Sequence, residues 1–157
     1  MRRRDREVNE VKGIEEIIRG CRTCHVAMFD GDYPYVVPLS FGYKFDEGDI
    51  LELYFHSAYE GRKIDILKRC GSVCFEISQE GEAIRGDNPC EWGYYYSSVI
   101  GLGKAVFIED TAEKCKALSI IFKHQSGQDV VFDNQQAEKV CVFKIISKDY
   151  RGKKKPG

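Results

Sequence analysis

The chain has 157 residues and a mass of 18.0 kDa, which suits one domain over 1–157, with its core at 8–150 between two basic ends. Hydrophobic residues are 43% and charged residues 31% of the total, which excludes wholesale disorder. With 24 Lys+Arg against 25 Asp+Glu, no global field gathers polyanions, and no apolar run nears the roughly 20 residues that span a bilayer.

The charged start, Arg2 to Glu7, leads into no apolar stretch, so export by a signal peptide is not expected. The seven cysteines then read as reduced thiols in a cytoplasmic protein. The basic residues at 2–6 and 151–155 read as solvated, frayed ends. Nucleic-acid binding would need an interior basic stripe, which is missing.

A first short helix is expected over 14–19, with Ile14, Ile17 and Ile18 on one face and Gly20 as its stop. Residues 26–29, the turn Asp30-Gly31-Asp32 and residues 35–43 read as a hairpin. Its second arm alternates, with Tyr35, Val37, Leu39, Phe41 and Tyr43 facing one way. A turn at 46–49 leads into a strand at 51–56. Residues 61–69 have helical spacing, 72–78 are strand, and the polar, glycine-containing 79–90 read as a loop. A long strand at 94–108 is expected to bend at Gly101 and Gly103. Asp110 caps a helix running to about Lys123, with Glu113 three residues on. A last strand covers 139–146. Six strands, two or three helices and many hairpins predict a mainly β, α+β fold, a small antiparallel barrel.

The segment from Leu53 to Leu67 carries the clearest chemistry. A strand ends at His56 and Ser57, a short turn follows, and a helix opens on Arg62 and Lys63. Two cations in a first turn oppose the helix dipole, and a bound anion would offset this. A phosphate held by the Ser57 hydroxyl, the amides and both cations fits; cations pointing into water fit as well. Pro38 cannot donate to a ladder, so its strand is either an edge or has turned its backbone toward a ligand. Trp92 and the run Tyr94-Tyr95-Tyr96 supply aromatic surface for core packing, for a flat ligand or for a partner chain.

The runs Tyr-Pro-Tyr-Val-Val-Pro-Leu-Ser-Phe (33–41), Leu-Tyr-Phe-His-Ser-Ala-x-x-Gly-Arg-Lys (53–63) and Ser-Val-Ile-Gly-Leu-Gly-Lys-Ala (98–105) resemble the flavin-binding split barrels. Among these they are similar to the 5-nitroimidazole-resistance branch, related to pyridoxamine 5′-phosphate oxidase, over residues 8–154. The resemblance implies a split β-barrel homodimer binding FMN at the subunit interface, with Ser57, Arg62 and Lys63 on the phosphate. The backbone of Val37, Pro38, Leu39, Ser40 and Phe41 would line the isoalloxazine edge. Ser98 would be a polar flavin contact, and His56 would lie near the ring as a candidate catalytic group. The implied activity is a flavin-dependent oxidoreductase on a small organic substrate such as a nitroaromatic. A flavin carries the redox chemistry itself, so no protein nucleophile is needed.

Alternatives stay open at this point: a flavin-binding module without turnover, a haem-binding split barrel, and pyridoxamine-phosphate oxidase proper. Cys21-Arg22-Thr23-Cys24-His25 matches the haem-attachment pattern, but that attachment follows export, for which no signal is read, so the match is set aside as chance; Cys70 with Cys74 lacks the second ligand pair zinc needs and is set aside too. No metal site is expected. His124 is read as meeting a helix dipole.

Overall fold

A computed structural model describes residues 4–155 of the chain. Its elements are β1 (Glu7–Val8), α1 (Val11–Gly20), β2 (Thr23–Asp30), β3 (Tyr33–Ser40), β4 (Gly42–Asp46), β5 (Ile50–Ser57), α2 (Arg62–Arg69), β6 (Ser72–Ile84), β7 (Gly93–Ile108), α3 (Thr111–Ser126), α4 (Asn134–Glu138) and β8 (Cys141–Lys155). The strands form one antiparallel sheet in the order β3-β2-β6-β7-β8-β5-β4, with β1 added to β8. This is the split-barrel architecture expected, with eight strands rather than six. The ladder does not close. Its two end strands, β3 and β4, follow each other in the chain with Phe41 between them.

Alternation puts Val26, Leu53, Phe55, Phe75, Ile77, Phe143 and Ile145 inside the rolled sheet, where all are fully buried. The amphipathic α1 covers this core with Ile14, Ile17 and Ile18. A second cluster of Tyr54, Leu118, Ile121, Ala137 and Val142 lies beneath α3 and α4. No helix of the described residues is long and apolar enough to cross a membrane.

Several expected boundaries are corrected. The strand read at 35–43 is two strands, because β3 pairs with β2 while β4 pairs with β5. A Cβ on Gly42 would lie 2.6 Å from the Cα of Ile121, so a bare backbone is what lets the chain pass beneath α3 at this crossing. The loop read at 79–90 is β6 as far as Ile84, paired with β7 around an irregularity between Glu80 and Ala83. Residues 78–83 are exposed on both faces, so no hydrophobic alternation marks them as strand. The last strand continues to Lys155 instead of ending at Ile146. The basic end is therefore paired, not frayed, with Arg151 opposite Ile100 and Lys153 opposite Ser98. Arg2 and Arg3 of the other basic end lie outside the described residues, while Arg6 donates to the Tyr96 hydroxyl at 3.1 Å. Of the two glycines where a bend is expected, Gly103 falls at a register shift between β7 and β8, whereas Gly101 keeps its pairing with Phe75 and Tyr150. Asp110 caps α3, accepting from the Glu113 amide at 2.9 Å, and the helix runs on to Ser126.

Candidate functional site

The corner where β5 gives way to α2 brings together the most chemistry. β5 ends at the buried Ser57, whose hydroxyl donates to the Ala58 carbonyl at 3.0 Å. Gly61 then takes φ 127° and ψ 160°, which L side chains rarely adopt, and the space beside its Cα is open. α2 begins at once, and no side chain caps it. Its first amides thus face an open approach with Arg62 and Lys63 beside them. The first amides and two cations are a donor set that suits a phosphate, and the Ser57 hydroxyl could join them only by turning from the Ala58 carbonyl, so the residues present fit such a group.

Both flanks of the corner are anchored. Arg62 Nε donates to Asp30 Oδ2 at 2.7 Å, and its guanidinium lies 4.6 Å from the centroid of the Tyr35 ring. Arg69, two helical turns on, donates from Nη2 to Asp30 Oδ1 at 2.6 Å. Hydrogen bonds from Arg62 and then Arg69 hold the Asp30 carboxyl below the usual carboxylate range. An open cavity of about 590 Å³ here is lined by Asp30, Arg62, Asp65, Ile66, Lys68 and Arg69. On the other flank, the Tyr59 hydroxyl donates to the Glu138 carbonyl at 2.9 Å and accepts from the buried Lys114 at 3.0 Å. Sequence reasoning missed Asp30, Arg69, Tyr59 and Lys114. The seven-residue spacing that puts Arg62 and Arg69 on one face of α2 was the signal available for one of them.

The remaining expected residues divide. β3 is an edge strand bonded only to β2, with Pro38 opposite His25, as its missing N–H requires. Val37 and Leu39 face the core, while Pro38 and Ser40 are exposed. Phe41 is fully buried, and its carbonyl accepts from Gln125 Nε2 at 2.8 Å, which commits that group to α3. The pairing of β4 with β5 stops at Tyr54, while His56 and Ser57 stay paired with Val142 and Cys141 of β8. His56 is exposed, on the face of β5 that carries Tyr54. Ser98 is not brought to this corner. It stands on β7 between Ser78 and Lys153, with β2 and β6 separating it from β3.

The outer face of β3, β2, β6 and β7 carries uncovered apolar side chains around the His25–Glu76 pair. Val36, Phe29, Ile100 and Leu102 are 54%, 71%, 53% and 56% exposed. Register places Val36, Ala27, Cys74 and Leu102 in one row across this face. Phe29 immediately precedes Asp30, but alternation turns their side chains to opposite faces of β2, so the Asp30 carboxylate lies on the side of Met28 and Tyr35 and not on the face of Val36 and Leu102.

The motifs set aside have structural roles. Cys21 and Cys24 are buried, burial raises both thiols, and neither presents a sulfur edge to which a porphyrin could be attached. His25 pairs with Glu76 at 3.0 Å. His124, expected at a helix dipole, instead donates from Nε2 to the Cys21 carbonyl at 2.8 Å between the rings of Phe41 and Tyr43. Burial lowers its pKa, so it is neutral at pH 7 and not a charge on the dipole. Among the described residues, no group of three His, Cys, Asp or Glu side chains could hold a metal ion.

Residues 10–150 match the family profile described as pyridoxamine 5′-phosphate oxidase. A solved candidate 5-nitroimidazole antibiotic resistance protein from Bacteroides thetaiotaomicron is 33% identical, with TM-score 0.80, over 94% of this chain and 85% of that one. The flavocytochrome Anf3 from Azotobacter vinelandii superposes with TM-score 0.79 at 20% identity, over 100% of this chain and 72% of that one. An FAD-binding protein from Mesorhizobium loti gives TM-score 0.69 at 20% identity, over 96% of this chain and 98% of that one. Among curated proteins none matches.

Proposed function

We propose, from the premise that this chain belongs to the pyridoxamine 5′-phosphate oxidase family, that it binds FMN as a homodimer and is a flavin-dependent oxidoreductase on small organic substrates, nitroaromatics among them. The observation that carries this reading is the uncapped start of α2, where Arg62 and Lys63 open the helix directly after β5 ends at Ser57. A bound flavin would supply the two-electron chemistry. Ser57, Arg62, Lys63 and the first amides of α2 would hold the phosphate. The edge backbone of Val37, Pro38, Leu39 and Ser40 would run along the ring system. The apolar row through Val36 and Leu102 would bury against a second subunit and exclude water from the cleft between them. Ser98 lies on that face, so it would meet the flavin of the facing subunit. His56, exposed on the opposite face of β5 from Ser57, would be the group to hold a proton if a substrate reaches that face.

Two measurements test this reading. The purified protein, saturated with FMN, should keep its flavin absorption through gel filtration and elute at twice the chain mass. Replacing Arg62 and Lys63 together by Ala should weaken FMN binding by about 2–4 kcal/mol and leave riboflavin, which has no phosphate, nearly unchanged. A haem Soret band without flavin retention, or equal losses for both flavins, would refute the assignment. Oxidation of NAD(P)H with a nitroaromatic acceptor tests the activity itself.

A further inference from the structure

We infer that Asp30 and Arg69 form a charge-compensated clamp that aims Arg62 at the anion corner, both serving as positioning residues that do not touch the ligand. This rests on the reading of Arg62 as a phosphate ligand. Asp30 is the last paired residue of β2, opposite Tyr33, so the hairpin fixes its carboxylate before any ligand arrives. Its Oδ2 takes the Nε edge of Arg62 at 2.7 Å, which leaves the Nη edge of the guanidinium for another acceptor. The Tyr35 ring, 4.6 Å away, fixes the plane of that guanidinium. A long, mobile side chain is thus held at its head as well as at its backbone, and little freedom is left to lose on binding.

By itself such a clamp would be costly, because a carboxylate behind Arg62 repels a dianion and offsets part of the attraction Arg62 supplies. Arg69 resolves the conflict. Its Nη2 lies 2.6 Å from the second oxygen of Asp30, so the Asp30–Arg69 pair is neutral and the triad keeps the single positive charge of Arg62. The same oxygen pair serves both arginines, which explains why one face of α2 presents cations two turns apart to one acid. Asp65 and Lys68 line the same cavity and contribute opposite charges that cancel to first order.

A double-mutant cycle on FMN affinity, with riboflavin as the phosphate-free probe, tests the clamp. Arg69→Met exposes the Asp30 carboxylate to the phosphate and should weaken FMN about tenfold. Adding Asp30→Asn to Arg69→Met should recover most of that loss, while riboflavin changes by less than about twofold throughout. If the double variant binds FMN as weakly as Arg69→Met, Arg69 contacts the ligand directly and the clamp is wrong. Parallel losses for riboflavin would mean damage to the fold and would equally overturn it. The parent reading fails separately: Arg62→Ala in the otherwise natural chain would then weaken FMN no more than riboflavin, whatever the cycle shows.

Discussion

The Asp30 corner and the Glu52 site beneath α3 use the same ingredients, a carboxylate between two cations, to opposite ends. Glu52 is buried, accepting from Lys144 Nζ at 2.6 Å and from the Tyr54 hydroxyl, with Lys44 at 3.8 Å. Burial pushes its carboxyl up, but the hydrogen bonds of Lys144 and Tyr54 outweigh burial and hold it below the ordinary value. Tyr54 is raised by burial and by its bond to Glu52. At the corner, the side chains of Arg62 and Arg69 are 61% and 64% exposed, against 26% for Lys144. A cation roofed by a helix spends its field on its partner, whereas one at an open corner retains an edge for a ligand. Exposure separates the nearest cation of the buried Glu52 from the two arginines of the candidate site, although Lys44, farther from Glu52, is 46% exposed.

The largest difference should appear in stability. Lys144→Met leaves Glu52 buried without its nearest cation and should cost about 3 kcal/mol in urea unfolding, with FMN retention unchanged. A loss of flavin with intact stability would erase the distinction between the two sites. Acid should next separate them. The depressed Glu52 contributes stability that is intact above its unfolded pKa of about 4.3 and is lost as pH falls through its folded value. Lys144→Met should therefore flatten the acid limb of a plot of unfolding free energy against pH. His124, neutral through burial, adds a loss that begins below about pH 6.5, since protonation there favours the unfolded chain. His124→Gln should remove that segment of the profile. The smallest effect belongs to the corner: Arg62→Ala should shift stability by no more than about 0.5 kcal/mol. A larger drop in its thermal midpoint would make Arg62 a structural residue.

Much of the corner was legible from Ser57 to Lys63, because a strand-to-helix junction and the order of its donors are local in the chain. Asp30 was not, since it read only as a turn residue. Its two arginines lie 32 and 39 residues away and meet it through the packing of α2 against β2. Phe41 shows the converse. Its alternation placed it correctly on the core side of the expected strand, but the strand ends before it because Gln125 of α3 takes its carbonyl.

Periodicity and turn chemistry along the chain were enough for the antiparallel class, the first three helices and the strand-to-helix junction of the candidate site, since these depend on neighbours within a few residues. Tertiary structure decided where the sheet splits and how far β6 and β8 extend through polar stretches, because ladder bonds between distant strands do not require apolar side chains. It also decided which cations remain open to a ligand, a matter of what packs above them and not of residue type.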